Sequence, residues 1–289
     1  MIDLHIHTTY SDGDKTVAEI LKMCEEKKLE YISLTDHDTC KQYNDRALKD
    51  NIFSGKIIKG TELHAVFKKN NIEILAYDID TDVINNWSEK YYSEDKLKEQ
   101  QKILFKRLLD IADKHGIIYN IDKIKKPKNA FEYVEPLIYN EFLKHKENYH
   151  ILGEFADSFN IFFRKGLANP KSSYFMNHIE FRPQYKEVIN TIHKAGGKAF
   201  LAHPFEYKIE DTITLIDKLR EDTNLDGIEC FHPSSEEKSK RDILVTYARE
   251  NNLFISGGSD YHGKIKPDID IGIGRGNLNI SKSIIKQWI

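Results

Sequence analysis

The run IDLHIH, residues 2–7, alternates strictly between apolar and polar side chains. In an extended strand successive side chains face opposite ways, so Asp3, His5 and His7 share one face and Ile2, Leu4 and Ile6 the other. One face is made for a core, and the other sets two imidazoles and a carboxylate in a row.

Outward from this strand the same ending recurs. The run YISLT (31–35) leads into Asp36-His37-Asp38, and KIIKGTE (56–62) into Leu63-His64. The run KAFLAH (198–203) ends before Pro204, GIECF (227–231) supplies Glu229 and His232, and LFISG (253–257) leads to Ser259-Asp260-Tyr261-His262. With IEILAY (72–77) these make seven strand candidates. A single H-x-H is commonly a half-exposed pair, Asp-His-Asp can simply cap a helix, and Ala-His-Pro can be a buried histidine before a turn. Six strands ending alike are not explained that way.

Amphipathic stretches separate the strands. Residues 16–27 carry Val17, Ile20, Leu21 and Cys24 at helical spacing, residues 185–195 stop at Gly196-Gly197, and residues 211–221 and 236–251 are further helices. The alternation is that of βα units. In a parallel βα barrel the C-terminal strand ends converge on one face, so residues distant in sequence would meet there. Imidazole mixed with carboxylate suits Zn²⁺, Mn²⁺ or iron better than Ca²⁺ or Mg²⁺, which prefer all-oxygen shells.

Residues 89–183 break the rhythm. A long helix is expected over 93–115, with Leu97, Ile103, Leu104, Leu108 and Ile111 as its stripe, then mostly helix over 132–164; a short strand at 117–121 is the one β candidate. The expectation is one domain over 1–289, a distorted seven-stranded (β/α)7 TIM-like barrel, with a helical insertion at 89–183 between the fourth and fifth strands.

Composition narrows the class. The 289 residues are 40% hydrophobic and 31% charged, with a net charge of −3, which offers no electrostatic ground for a stable nucleic-acid complex. A first strand beginning at Ile2 leaves no room for a signal peptide, and no apolar run approaches a membrane span. Cys24, Cys40 and Cys230 match no CxxC spacing and read as buried thiols. A cytoplasmic protein without membrane attachment is expected.

The pieces DLHIHTTYSDG (3–13), LTDHDT (34–39), GTE (60–62), LAHP (201–204), GIE (227–229) and GGSDYHG (257–263) resemble, in order and over nearly the whole chain, the polymerase-and-histidinol-phosphatase (PHP) family. The resemblance implies a distorted seven-stranded barrel and a cluster of two or three divalent ions. His5, His7, Glu62 and Asp260 would hold the first ion, and Asp12, His37 and His262 the second. Glu62 would bridge to a third, shared with His203 and one more residue. Family members commonly place a histidine on the fourth strand; here Glu73 stands at that position.

The chemistry implied is hydrolysis of phosphate monoesters. Two close ions bridge a water or hydroxide, lower its pKa, and neutralise the phosphoryl oxygens. His203, His232 and Asp36 are candidates for the proton given to the leaving group. Arg164, Lys165, Lys171, His178 and Arg182 are candidates for holding the phosphate. The glycine-rich run 272–277 fits neither a Rossmann nor a Walker pattern and is expected to close the rim or bottom of the barrel. The expected substrate is a small phosphorylated metabolite or nucleotide, of the nucleoside 5′-monophosphate or 3′,5′-bisphosphate type, or the end of a short oligonucleotide. Histidinol phosphate is the alternative within the same chemistry. A non-catalytic or proofreading metal module, and an amidohydrolase, are readings from other classes; the latter usually bridges its metals with a lysine, where Glu62 fits better here.

Overall fold

The structure, a computed structural model, describes residues 1–128, 132–207, 209 and 211–289. The chain divides into two compact units, Met1–Glu89 with Pro183–Ile289, and Lys90–Arg182.

The first unit opens with β1 (Ile2–Ile6), α1 (Val17–Glu26), β2 (Tyr31–Leu34) and β3 (Lys56–Ile57). The three strands pair in parallel in the order β1-β2-β3. Helix α1 starts where Thr16 forms a capping box with Glu19, and it buries Val17, Ile20, Leu21 and Cys24. Next come β4 (Gly60–Phe67), β5 (Asn70–Tyr77) and α2 (Thr81–Tyr92).

The second unit contains α3 (Glu94–His115), α4 (Val134–Phe142), α5 (Asn148–Leu152) and α6 (Phe159–Ile161). The chain returns to the first unit with α7 (Tyr185–Lys194), β6 (Lys198–Leu201), α8 (Thr212–Asp222), β7 (Gly227–Phe231), α9 (Lys238–Glu250) and β8 (Phe254–Gly257). Strands β4 to β8 form a second sheet in sequential order, with β4–β5 and β5–β6 antiparallel and β6–β7–β8 parallel.

The closed seven-stranded (β/α)7 barrel expected from sequence is therefore corrected: eight strands form a three-stranded parallel sheet and a five-stranded mixed one, and the described residues close no barrel. The run 56–62, expected as one strand, divides into β3 in the first sheet and the start of β4 in the second, and the antiparallel pairing that follows has its cause in a connection length. Only Lys68 and Lys69 separate β4 from β5, with Lys68 at a φ of +57°. Two residues can join antiparallel neighbours, whereas a parallel pair needs a crossover of a dozen or more. Single bridges, Ile6 to Tyr261 and His37 to Glu62, join strand ends of the two sheets.

The apolar face of β1 divides between two cores. Ile6 packs with Val17, Ile20 and Ile32, while Ile2 and Leu4 pack with Tyr77, Phe200 and Trp288. The C-terminal tail closes this second core, bridging Ile280 to Ile2, and Gly272 donates its amide to Asp3 at 2.7 Å. All three cysteines are free and buried.

The second unit has its own core around Leu108, Ile138, Phe142 and Phe162. The strand expected at 117–121 is absent. Gly116 ends α3 in the left-handed region, and the Asn148 side chain takes up both Ile118 backbone groups, accepting from its N–H (2.8 Å) and donating to its carbonyl (2.6 Å). With those groups satisfied, no neighbouring strand is recruited. No helix of the described residues is long and apolar enough to cross a membrane.

Candidate metal centre

The strands of the first unit deliver their polar ends to one place. His5 and His7 are fully buried on β1. The chain then folds back tightly. A Cβ on Gly13 would lie 2.5 Å from the His7 carbonyl oxygen, so only glycine fits this turn. Buried Asp36, just beyond β2, pins the turn by accepting from the Thr8 amide (2.9 Å), the Thr8 hydroxyl (2.8 Å) and the Ser11 hydroxyl (2.7 Å). That brings Asp12 against His262. Beyond β8, Gly258 lies so close to β1 that a Cβ there would stand 2.3 Å from the His5 nitrogen. His203 and Asp260 adopt positive φ, a sparsely populated conformation for residues other than glycine.

The first donor group is His5, His7, Glu62 and Asp260. His5 Nε2 lies 3.1 Å from His7 Nε2, 3.1 Å from Glu62 Oε2 and 3.5 Å from Asp260 Oδ1. His7 Nε2 lies 3.3 Å from Glu62 Oε2 and 3.4 Å from Asp260 Oδ1. A tetrahedral ion with bonds of about 2.0–2.2 Å sets its ligand atoms about 3.4 Å apart. Five of the six edges of such a tetrahedron fall between 3.1 and 3.5 Å here. Two imidazole nitrogens facing each other at 3.1 Å also repel unless a proton or a cation lies between them. The residues fit a divalent ion.

Asp12 anchors a second group with His7, His37 and His262. Its Oδ1 is 3.2 Å from His262 Nε2, 3.6 Å from His7 Nδ1 and 3.9 Å from His37 Nε2. A third comprises Glu62, Glu73 and His203, with His203 Nε2 2.8 Å from Glu62 Oε1 and 3.3 Å from Glu73 Oε2. Glu62 thus turns one oxygen toward the first group and the other toward the third. This is the disposition of a bridging carboxylate.

Further residues hold these donors in place. Glu229 accepts from the His5 ring at Nδ1 (2.9 Å) and from the His203 amide (2.8 Å), so the His5 lone pair points from Nε2 into the group. The Ser234 amide donates to His232 Nδ1 (3.0 Å), which leaves the ring proton on Nε2, 3.2 Å from Asp260 Oδ2. Lys266 brings its ammonium to the same oxygen.

Burial disfavours charge throughout the centre, yet the opposed groups overcome it. Hydrogen bonds to Asp260 and Glu62 carry His7 up to about 9, and Glu62 carries His203 up to about 10. Despite burial, the facing imidazoles hold Glu62 and Asp260 well below the usual carboxylate range, and His64 and His203 help bring Glu73 to about 2. His37 goes the other way, to about 4, because burial and the neighbouring His7 and His64 outweigh Glu62.

Of the proposed proton donors, Asp36 is occupied as the loop anchor, His203 lies in the third group, and His232 abuts Asp260. The candidate phosphate-holding residues all lie in the second unit, each with its own surroundings. Lys165 pairs with Glu154 (2.5 Å) and His178 with Glu135 (3.1 Å). Lys171 is exposed, Arg164 lies in the irregular turn Phe162–Leu167, and Arg182 has a buried Nη1 without a hydrogen-bond partner. Lys266 was not singled out from sequence, and Asp38 and His64 were noted at strand ends without a role. His64 had a signal, since it stands two positions after Glu62 and shares its face.

Buried imidazoles and carboxylates gathered into groups that could hold metal, on this α/β frame, together with the relatives below, place the chain among metal-dependent phosphoesterases. The chain belongs to the PHP domain family, which its residues 3–252 match. It is 28% identical to a 5′-3′ exoribonuclease of Haemophilus influenzae, over 99% of this chain and 97% of that one. It is 24% identical to a 3′,5′-nucleoside bisphosphate phosphatase of Chromobacterium violaceum, over 94% of this chain and 90% of that one. Among solved structures, a candidate metal-dependent phosphoesterase from Bifidobacterium adolescentis superposes with a TM-score of 0.68 at 21% identity, covering 100% of this chain and 96% of the other.

Proposed function

We propose that the protein hydrolyses phosphate esters of nucleotides, taking nucleoside 3′,5′-bisphosphates or the 5′ end of a short RNA. The observation that carries the hydrolytic reading is the Glu62 carboxylate, whose two oxygens face two different donor groups. The nucleotide class is supported by the activities named for relatives that align over nearly the whole chain.

Divalent ions held here supply Lewis acidity toward the phosphoryl group and an activated water. The chain's own residues do the rest. His5, His7, Glu62, Asp260, Asp12, His37, His262, His203 and Glu73 are the ligands in this reading. Glu229 and His232 fix the orientation of His5 and Asp260. Lys266, whose side chain is 31% exposed beside Asp260, offers an ammonium to the incoming phosphoryl oxygens.

The test is a comparison of kcat/KM on a 5′-phosphorylated oligoribonucleotide, adenosine 3′,5′-bisphosphate, AMP and histidinol phosphate. One of the first two is expected to exceed histidinol phosphate by roughly tenfold or more, about 1.4 kcal/mol of transition-state discrimination. A preference for histidinol phosphate would overturn the assignment.

A further inference from the structure

The hairpin β4–β5 carries a donor, His64, that the three groups above do not include. Antiparallel register places His64 on β4 directly opposite Glu73 on β5. Asp38 grips His64 twice, accepting from its amide at 2.9 Å and from ring Nδ1 at 2.5 Å. Nδ1 therefore carries the hydrogen, and Nε2 turns its lone pair away from Asp38. It meets Glu73 Oε1 at 3.2 Å. These two atoms are spaced as neighbouring ligands of one cation, which stand about 3.4 Å apart at bonds of about 2.0–2.2 Å.

Two further observations favour the cation. Glu73 turns its other oxygen to His203 Nε2 at 3.3 Å, so its two oxygens face two different imidazoles. The His37 ring also stacks on His64 with centroids 4.7 Å apart, and donor atoms of His37, His64 and Glu73 all lie within 4.8 Å of one another.

We propose that His64 and Glu73, with the His37 ring beside them, hold a further divalent cation at the outer edge of the metal centre, with Asp38 fixing the His64 ring. The inference rests on reading the neighbouring groups as metal sites. The side chains of His37, His64 and Glu73 are 19%, 17% and 23% exposed, against 0–4% for the first group. So few protein donors on a partly open edge leave coordination positions for water or a phosphate oxygen. This ion exchanges faster than those in the buried groups.

Equilibrium dialysis against Mn²⁺ or Co²⁺, followed by metal analysis, tests the proposal. His64→Ala is expected to hold about one equivalent less than the unaltered chain. His64→Cys in the Co²⁺-loaded protein is expected to show a thiolate-to-cobalt charge-transfer band, a gain that a purely structural His64 would not produce. Circular dichroism of each variant checks folding. Equal metal content with no new band would overturn the proposal and make His64 an imidazolium between Asp38 and Glu73. If the unaltered chain took up no metal at all, the reading of the entire centre would fall with it.

Discussion

Glu229 shows what a single carboxylate does here without touching an ion. It ties the His5 ring and the His203 backbone to one side chain, so two donor groups depend on its placement. Such outer partners typically contribute 10- to 100-fold in metal affinity. Glu229→Gln is expected to weaken metal retention by about that factor while leaving circular dichroism unchanged. Competition with a fluorescent chelator measures this, and an unchanged affinity would contradict it. The sequence showed Glu229 at a strand end but not its role, since alternation reveals which face a residue takes and not what it meets. Asp38 likewise stood at a strand end without a role, and Lys266 was not seen at all, for the same reason. Their partners are His64, on another strand, and Asp260, across a loop. His5 and His7 were legible because strand periodicity alone sets their direction, whereas Glu62 was pointed to as a ligand only by the family resemblance.

At the scale of elements, β1 must approach β8 closely enough for His5 and Asp260 to share a group, and Gly258 permits it. Gly258→Ala would force a methyl against the His5 backbone, which must then shift. A loss of about 1–3 kcal/mol is expected from such overpacking, read from the urea midpoint, together with weaker metal retention. A neutral result would mean the strands are not held this tightly. The helices α1, α7, α8 and α9 and most strands were readable from apolar spacing, whereas the run 56–62 hid the division between β3 and β4. The antiparallel turn at Lys68-Lys69 was readable only from the shortness of the connection, which the repeating strand endings obscured. The same turn sets His64 opposite Glu73, so the misread hairpin and the unforeseen donor group have one cause.

At the scale of the molecule, the centre exchanges protons for metal. Without metal His7 and His203 hold protons up to about 9 and about 10, because burial is outweighed by Asp260 and Glu62. Ligation needs the lone pairs, so loading near pH 7 expels those protons. Affinity should rise with pH and flatten once pH passes through that range. Calorimetric titration in two buffers of different ionisation heat reads the release, and a heat independent of buffer would contradict it. The whole account depends on distant strand ends meeting around cations. The most direct measurement is an anomalous difference map from crystals grown with Mn²⁺ or Zn²⁺. The account predicts a peak about 2.0–2.2 Å from His5 Nε2, His7 Nε2, Glu62 and Asp260, with a second beside Asp12 and His262. Full-occupancy metal elsewhere, with no density among these four side chains, would contradict it.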